Sequence, residues 1–171
     1  MILQIAGGVI IITATTLLGL HFGSMGAKRT KDLMEMKKSL IMLKSQIDFA
    51  VYTMPQAFLH IANKTEQPIS DFYAGLANKL ENGISVEVAW QESVDDFYKS
   101  HLHKEDTQNI AMLGTTLGAM DAGVQISSID MLITTIDDTL AKLNTQNPKD
   151  AKMYRGLGII SGLLITIVLL H

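Results

Sequence analysis

The stretch MILQIAGGVIIITATTLLGLHFGSMGAKRTKDLMEMKKSLIMLKSQIDFA, residues 1–50, decides the fold. Positions 1–27 contain no Asp, Glu, Lys or Arg, and then Lys28, Arg29, Lys31, Asp32 and Glu35 follow in quick succession. From Ile2 to Leu20 the run is nearly all apolar, interrupted by Gln4 and a few Gly and Thr. An α-helix rises about 1.5 Å per residue, so about 20 residues cross a hydrocarbon core of roughly 30 Å. The run is therefore long enough to be a membrane span. Beyond it, Leu33, Met34, Met36, Leu40, Ile41, Leu43 and Ile47 recur at a helical period. That pattern predicts that the span continues directly into a helix on the water side.

The far end reads the same way. Gly156 to Leu170 is uncharged throughout. As a helix that segment reaches only about 22 Å, which is short. It spans if Tyr154 and Arg155 extend to the headgroups and His171 caps the other side, or if the bilayer thins locally. All 14 basic and 17 acidic residues of the 171-residue chain lie between Lys28 and Arg155. A chain that is 47% hydrophobic overall thus resolves into one water-soluble domain between two apolar ends. The expected division is an N-terminal transmembrane helix at 1–27, a cytoplasmic helical-bundle domain at 28–150 and a C-terminal transmembrane helix at 151–171.

Several classes fall away on composition. There is no Cys, which excludes a disulfide scaffold, a Cys-ligated zinc site and thiol catalysis. The net charge of −3 argues against a general nucleic-acid binder. A cleaved signal peptide carries a basic segment before its apolar run, and no Lys or Arg precedes this one. Positive charge follows the first span (Lys28, Arg29, Lys31, Lys37, Lys38) and precedes the second (Lys149, Lys152, Arg155). By the positive-inside rule both flanks are cytoplasmic and both termini lie across the membrane. Gly19 with Gly23, and Gly158 with Gly162, form G-x-x-x-G spacings that let helices approach closely in lipid.

The middle predicts an all-α bundle of about six helices. Thr53-Met54-Pro55-Gln56 is a capping box with proline in the first turn, opening a short helix over about 54–64. Pro68 and Ser70-Asp71 open another, with Phe72, Leu76 and Leu80 on one face, and Asn82-Gly83 stops it in a left-handed cap. Ser85 caps the next helix, which carries Val86, Ala89, Trp90, Val94 and Phe97. After a polar break at Lys99–His103, Ile110, Leu113, Leu117 and Met120 line a helix to about Asp121. The last cytoplasmic helix carries Ile126, Ile129, Ile133, Ile136 and Leu140 and is expected to end near Asn147-Pro148. No alternating strand pattern and no glycine-rich phosphate loop occurs.

Charge separates along this bundle. Residues 28–44 carry six basic residues against Asp32 and Glu35, whereas 45–148 carry 5 basic and 14 acidic. A basic band suits anionic lipid heads. The acidic remainder offers docking positions for a basic partner at Asp95, Asp96, Asp137 and Asp138. Adjacent carboxylates of this kind do not converge as a catalytic dyad. His101 and His103, followed by Glu105 and Asp106, are the best metal candidate. The same stretch reads better as a polar loop feeding a helix N-terminus, with both acids favouring the dipole. No catalytic residue, cofactor or metal site is assigned. Most of the ten Met are read as core and interface filler, and Trp90 as a core anchor.

Certain stretches resemble a known family. They are Ala14-Thr15-Thr16 with Gly19; Val88-Ala89-Trp90-Gln91-Glu92-Ser93; Leu113-Gly114 and Leu117-Gly118 with Asp121 and Gln125; and Lys152-Met153 followed by Leu157-Gly158 and Gly162-Leu163-Leu164. In this order they resemble the stage III sporulation protein AB family of endospore-forming bacteria. The resemblance implies a non-enzymatic membrane scaffold at the boundary between mother cell and forespore, within the transport complex needed for endospore formation. It also implies a domain similar to those of type II secretion and type IV pilus platform proteins. Those larger relatives carry two such domains and three spans, so one domain with two spans implies self-association or assembly with other membrane subunits. The implied partners are the secretion-type ATPase SpoIIIAA in the mother-cell cytoplasm, other membrane subunits of the complex, and the lipid bilayer. A two-span signalling protein and a His/acid metalloprotein are the alternatives that composition leaves open.

Overall fold

The computed structural model describes the backbone at residues 2–49, 52–97, 100–118 and 121–170, and there the side chains except at 2–6, 8–12, 15–16, 18–23, 146–152, 154–155, 157–159 and 161–170. Six helices follow one another: α1 (Ile2–Phe49), α2 (Met54–Ala62), α3 (Ile69–Glu81), α4 (Val86–Asp95), α5 (Lys104–Leu117) and α6 (Ala122–Leu170). No strand occurs among the described residues. Two compact units result, one of Met1–Lys28 with Ala141–His171 and one of Arg29–Leu140. The two long helices contribute to both, so the apolar ends are continuations of α1 and α6 and not separate helices beside a six-helix bundle.

Local sequence explains the short helices. At α2 the Gln56 side chain accepts the Thr53 N–H at 3.3 Å, the glutamine half of a capping box. Helix α3 ends where Gly83 takes φ +83°. The Gly83 N–H donates to Leu80 at 3.0 Å and the Ile84 N–H to Lys79 at 3.1 Å, the paired bonds of a Schellman cap. Ser85 then caps α4, its Oγ accepting the Val88 N–H at 3.5 Å.

Two expected boundaries move. Helix α5 stops at Leu117, short of Asp121, because Asp121 opens α6. Its Oδ1 accepts the N–H groups of Gly123 at 2.7 Å and Val124 at 3.2 Å, which is N-cap geometry. The stop expected at Asn147-Pro148 does not occur, and α6 stays helical through both. A proline removes one backbone bond and crowds the carbonyl four residues earlier, at a cost of about 3 kcal/mol. Where both flanks are otherwise good helix, that penalty is absorbed and the helix runs on.

The core of the 29–140 unit is built from Leu33, Met36, Leu40 and Leu43 of α1, the aromatic residues of α2–α4, Ile110, Leu113 and Leu117 of α5, and Ile129, Leu132 and Ile136 of α6. The face of α1 differs from expectation at Met34 and Ile41, which are exposed. Burial also pushes the Tyr73 phenol well above its usual pKa, against a smaller opposing effect from the Ser39 hydroxyl 3.0 Å away. Tyr73 thus stays a neutral core group.

Candidate interaction surfaces

Arg29 and Asp32 sit on the first turn of α1 that belongs to the 29–140 unit. Arg29 grips Asp106 in a fork, Nε to Oδ2 and Nη2 to Oδ1, both at 2.8 Å. Asp106 also accepts the His103 N–H at 2.8 Å, so one carboxylate caps α5 and ties it to α1. Asp32 accepts the His101 N–H at 2.7 Å and lies 3.0 Å from its Nδ1. Both carboxylates are buried. The His101–Asp106 stretch is therefore a helix entry held to α1. Arg29, expected among the lipid-facing cations, has its charge engaged by Asp106. Among the described residues no three His or carboxylate side chains gather as a metal site would need.

The acidic positions are distributed over two helices. Asp95 ends α4 and Asp96 caps it, both exposed. Lys79 of α3 reaches Asp96 at 3.5 Å and Glu92 at 3.3 Å. Asp137 and Asp138 are exposed on α6. Asp137 is held by Lys37 at 2.6 Å, and the neighbouring Asp130 by Lys44 at 2.7 Å. No hydrogen bond or ion pair among the described residues joins the α4 carboxylates to those of α6. Exposed pairs of this kind contribute little stability, yet they neutralise Asp137 within the chain. Asp95, which meets only the neutral Gln91 amide at 3.4 Å, and Asp138, which has no ion pair among the described residues, remain the more available acids. Gly19, Gly23, Gly158 and Gly162 lie outside the described side chains, although their backbone is helical.

The sequence profile of stage III sporulation protein AB matches residues 4–170. The chain belongs to that family. The stage III sporulation protein AB of Bacillus subtilis (strain 168) is 26% identical over 170 residues, covering 98% of this chain and 99% of its own. A solved structure titled stage III sporulation protein AB (SpoIIIAB) superposes with a TM-score of 0.67 at 21% identity, over 71% of this chain and 97% of that one. At that identity the likeness speaks to the fold.

Two of the stretches that carry the family resemblance, those of α4 and α5, meet in space. Trp90 is fully buried, and a Cβ added at Gly114 would lie 2.5 Å from its Cδ1. The glycine is therefore required for α4 to lie against α5. The indole Nε1–H donates to the Ile110 carbonyl at 2.8 Å, and the ring packs edge-on against Phe72 at 5.1 Å. Asp121, from the same set of family stretches, caps α6 as described.

Two surface features of this family member escaped the sequence. One is a groove between α5 and α6, about 240 Å³, with Met112, Met131 and Leu132 in its lining. Met112 and Met131 are 69% and 73% exposed, so these two are not core filler. Helical periodicity alone does not reveal which methionines the neighbouring helices leave uncovered. The other is a cleft of about 330 Å³ lined by Gly75 of α3 and Ser93 of α4, whose signal is local: a glycine inside a helix and a serine on a core face.

Proposed function

We propose that this chain is a non-enzymatic, platform-like membrane subunit of the mother cell-to-forespore transport complex required for endospore formation. Its apolar ends cross the membrane as two spans, and the 29–140 unit stands in the mother-cell cytoplasm at the forespore boundary. There it docks the secretion-type ATPase SpoIIIAA and assembles with other membrane subunits or with copies of itself. Family membership supports the sporulation role. The observation that carries the membrane role is that α1 and α6 continue into a second unit whose ends, residues 1–27 and 156–171, contain no Asp, Glu, Lys or Arg, and where Leu17 and Ile160 are 61% and 57% exposed. In water such exposure is unfavourable, and lipid removes the penalty. No helix among the described residues is by itself long and apolar enough to cross a membrane. The two expected spans, 1–27 and 151–171, lie largely outside the described side chains.

In a sporulating strain lacking the gene, spore formation stops after engulfment begins and returns with the full chain. Reporters fused at Met1 and His171 are active only across the membrane from the bundle. Ordinary spore yield in the deletion strain, or reporter activity in the cytosol, overturns the proposal. The docking half has its own check, in which Asp95→Lys with Asp96→Lys reduces capture of the ATPase by the full chain. Asp137→Lys with Asp138→Lys is the companion pair, though the first of these also sets a lysine against Lys37. Undiminished capture in both double variants removes the acidic docking face and leaves the scaffold role standing.

A further inference from the structure

The cleft between α3 and α4 holds two features that cost stability and that packing does not require. Gly75 is inside α3, where glycine is among the poorest helix formers. A Cβ there would meet nothing within 4 Å, so no close approach calls for it. Ser93 is only 5% exposed, yet its buried Oγ has no hydrogen-bond partner among the described residues. A buried hydroxyl without a partner is unfavourable, and a helical serine ordinarily relieves this by bonding to a preceding carbonyl. Both residues line the same hollow. Locally unfavourable choices that converge on one place mark function more often than accident.

The walls define what fits. Phe72 and Phe97 line the cleft with their rings 5.0 Å apart. Asp71, Asp96 and Lys79 also line it. The lysine divides its single charge between Asp96 and Glu92, while Asp71 accepts from the neutral Gln67 amide at 3.3 Å. Among the described lining residues carboxylates therefore outnumber cations, which disfavours an anion. An aliphatic side chain would leave the Ser93 hydroxyl as it is.

We infer that the α3–α4 cleft receives an arginine side chain projecting from a partner protein. The methylene stem lies along Phe72 and Phe97, the guanidinium faces Asp71 and Asp96, and, once the Ser93 side chain turns about χ1 toward the cleft, one N–H donates to its Oγ. A guanidinium suits this site better than an ammonium, because it is planar, weakly hydrated and stacks on aromatic rings. Gly75 keeps the entrance clear. The inference rests on the docking reading for the identity of the partner and not for the chemistry of the cleft.

The test uses the full chain in detergent micelles labelled with 4-fluorophenylalanine, in which five Phe give separate fluorine signals. The probe is N-acetyl-arginine-amide, with the neutral citrulline analogue and the glutamate analogue as controls. Arginine shifts the Phe72 and Phe97 signals saturably, with a dissociation constant on the order of 1 mM for so small a ligand. Ser93→Ala and Asp71→Asn with Asp96→Asn each weaken it roughly five-fold, the scale of one hydrogen bond or charge contact. Gly75→Leu closes the entrance and abolishes it. Ser93→Ala melts no lower than the parent, which keeps its loss of binding from being a folding defect. No saturable shift, equal binding of citrulline, tighter binding of the glutamate analogue, or unchanged binding in Ser93→Ala overturns the inference. ATPase capture measured on the same variants separates the two ideas. Probe binding lost while capture persists shows that the ATPase docks elsewhere, which overturns the cleft as its dock. Saturable arginine binding in a chain that never captures the ATPase overturns the docking reading and upholds the cleft.

Discussion

Replacing Trp90 with alanine is expected to destabilise the 29–140 unit by about 3–5 kcal/mol, the range for deleting a fully buried large aromatic. Single domains are stable by roughly 5–15 kcal/mol, so this change removes a large share of the total. The size follows from what the indole holds together. Its ring centroid lies 5.1 Å from that of Phe72, and 6.2 Å from those of Phe58 and Tyr73. Its N–H is committed to the Ile110 carbonyl. One side chain thus joins α2, α3, α4 and α5. The opposite error at the same contact is Gly114→Ala. The added methyl gains about 1 kcal/mol in helix propensity but would sit 2.5 Å from a ring atom of Trp90. The indole is already packed against Phe58, Phe72 and Tyr73 and tied to Ile110, so it yields little and overpacking of about 1–3 kcal/mol wins. Both variants are measured as the full chain in detergent. Loss of helical signal on heating reports Trp90→Ala, and fluorescence of the single Trp reports Gly114→Ala. A loss below about 1 kcal/mol for Trp90→Ala would mean that the aromatic cluster is not the unit's structural centre.

The contrast between what sequence revealed and what it hid follows the range of the interactions. The turn at Gly83 and the caps at Thr53 and Ser85 were legible because cap chemistry is decided within four residues. Trp90 was legible as a core anchor because it shares a face with Ala89 and Val94. Asp121 was misplaced because helical apolar spacing runs on through it from Leu117. Only the bonds it makes to Gly123 and Val124 reveal that it starts the next helix. The charge pattern was legible as a pattern and not as contacts. Lys37 with Asp137 and Lys44 with Asp130 pair two helices that lie far apart in sequence. Nothing in a linear stretch of residues distinguishes such a bound carboxylate from one like Asp138, which has no ion pair among the described residues. The candidate site divides the same way. Asp96 was named from sequence, whereas Ser93 was passed over because a serine on a core face carries no sign that its hydroxyl lacks a partner.

Arg29→Met is expected to cost about 3–5 kcal/mol, because it leaves the Asp106 carboxylate buried without its cation. The side chains of Arg29 and Asp106 are 12% and 4% exposed, so water compensates poorly for a lost partner. The two parallel bonds at 2.8 Å are the strong, forked kind. Asp106→Leu loses the same fork and also the cap on the His103 N–H, which adds about 1 kcal/mol. The double variant Arg29→Met, Asp106→Leu is expected to recover much of the sum, since an apolar pair in a buried site is often as stable as the ion pair it replaces. A coupling of about 2 kcal/mol between the two positions is the expected result of the cycle. Single effects that simply add, to within about 0.5 kcal/mol, would show the pair to be screened by solvent. Amide exchange gives a readout that depends on place. Losing Arg29 should speed exchange at His101 and His103, which the buried carboxylates hold against α1, while the Gly83 turn keeps its protection. Uniform acceleration through α2 and α3 would instead mean that the clamp supports the whole unit and not the entry to α5 alone.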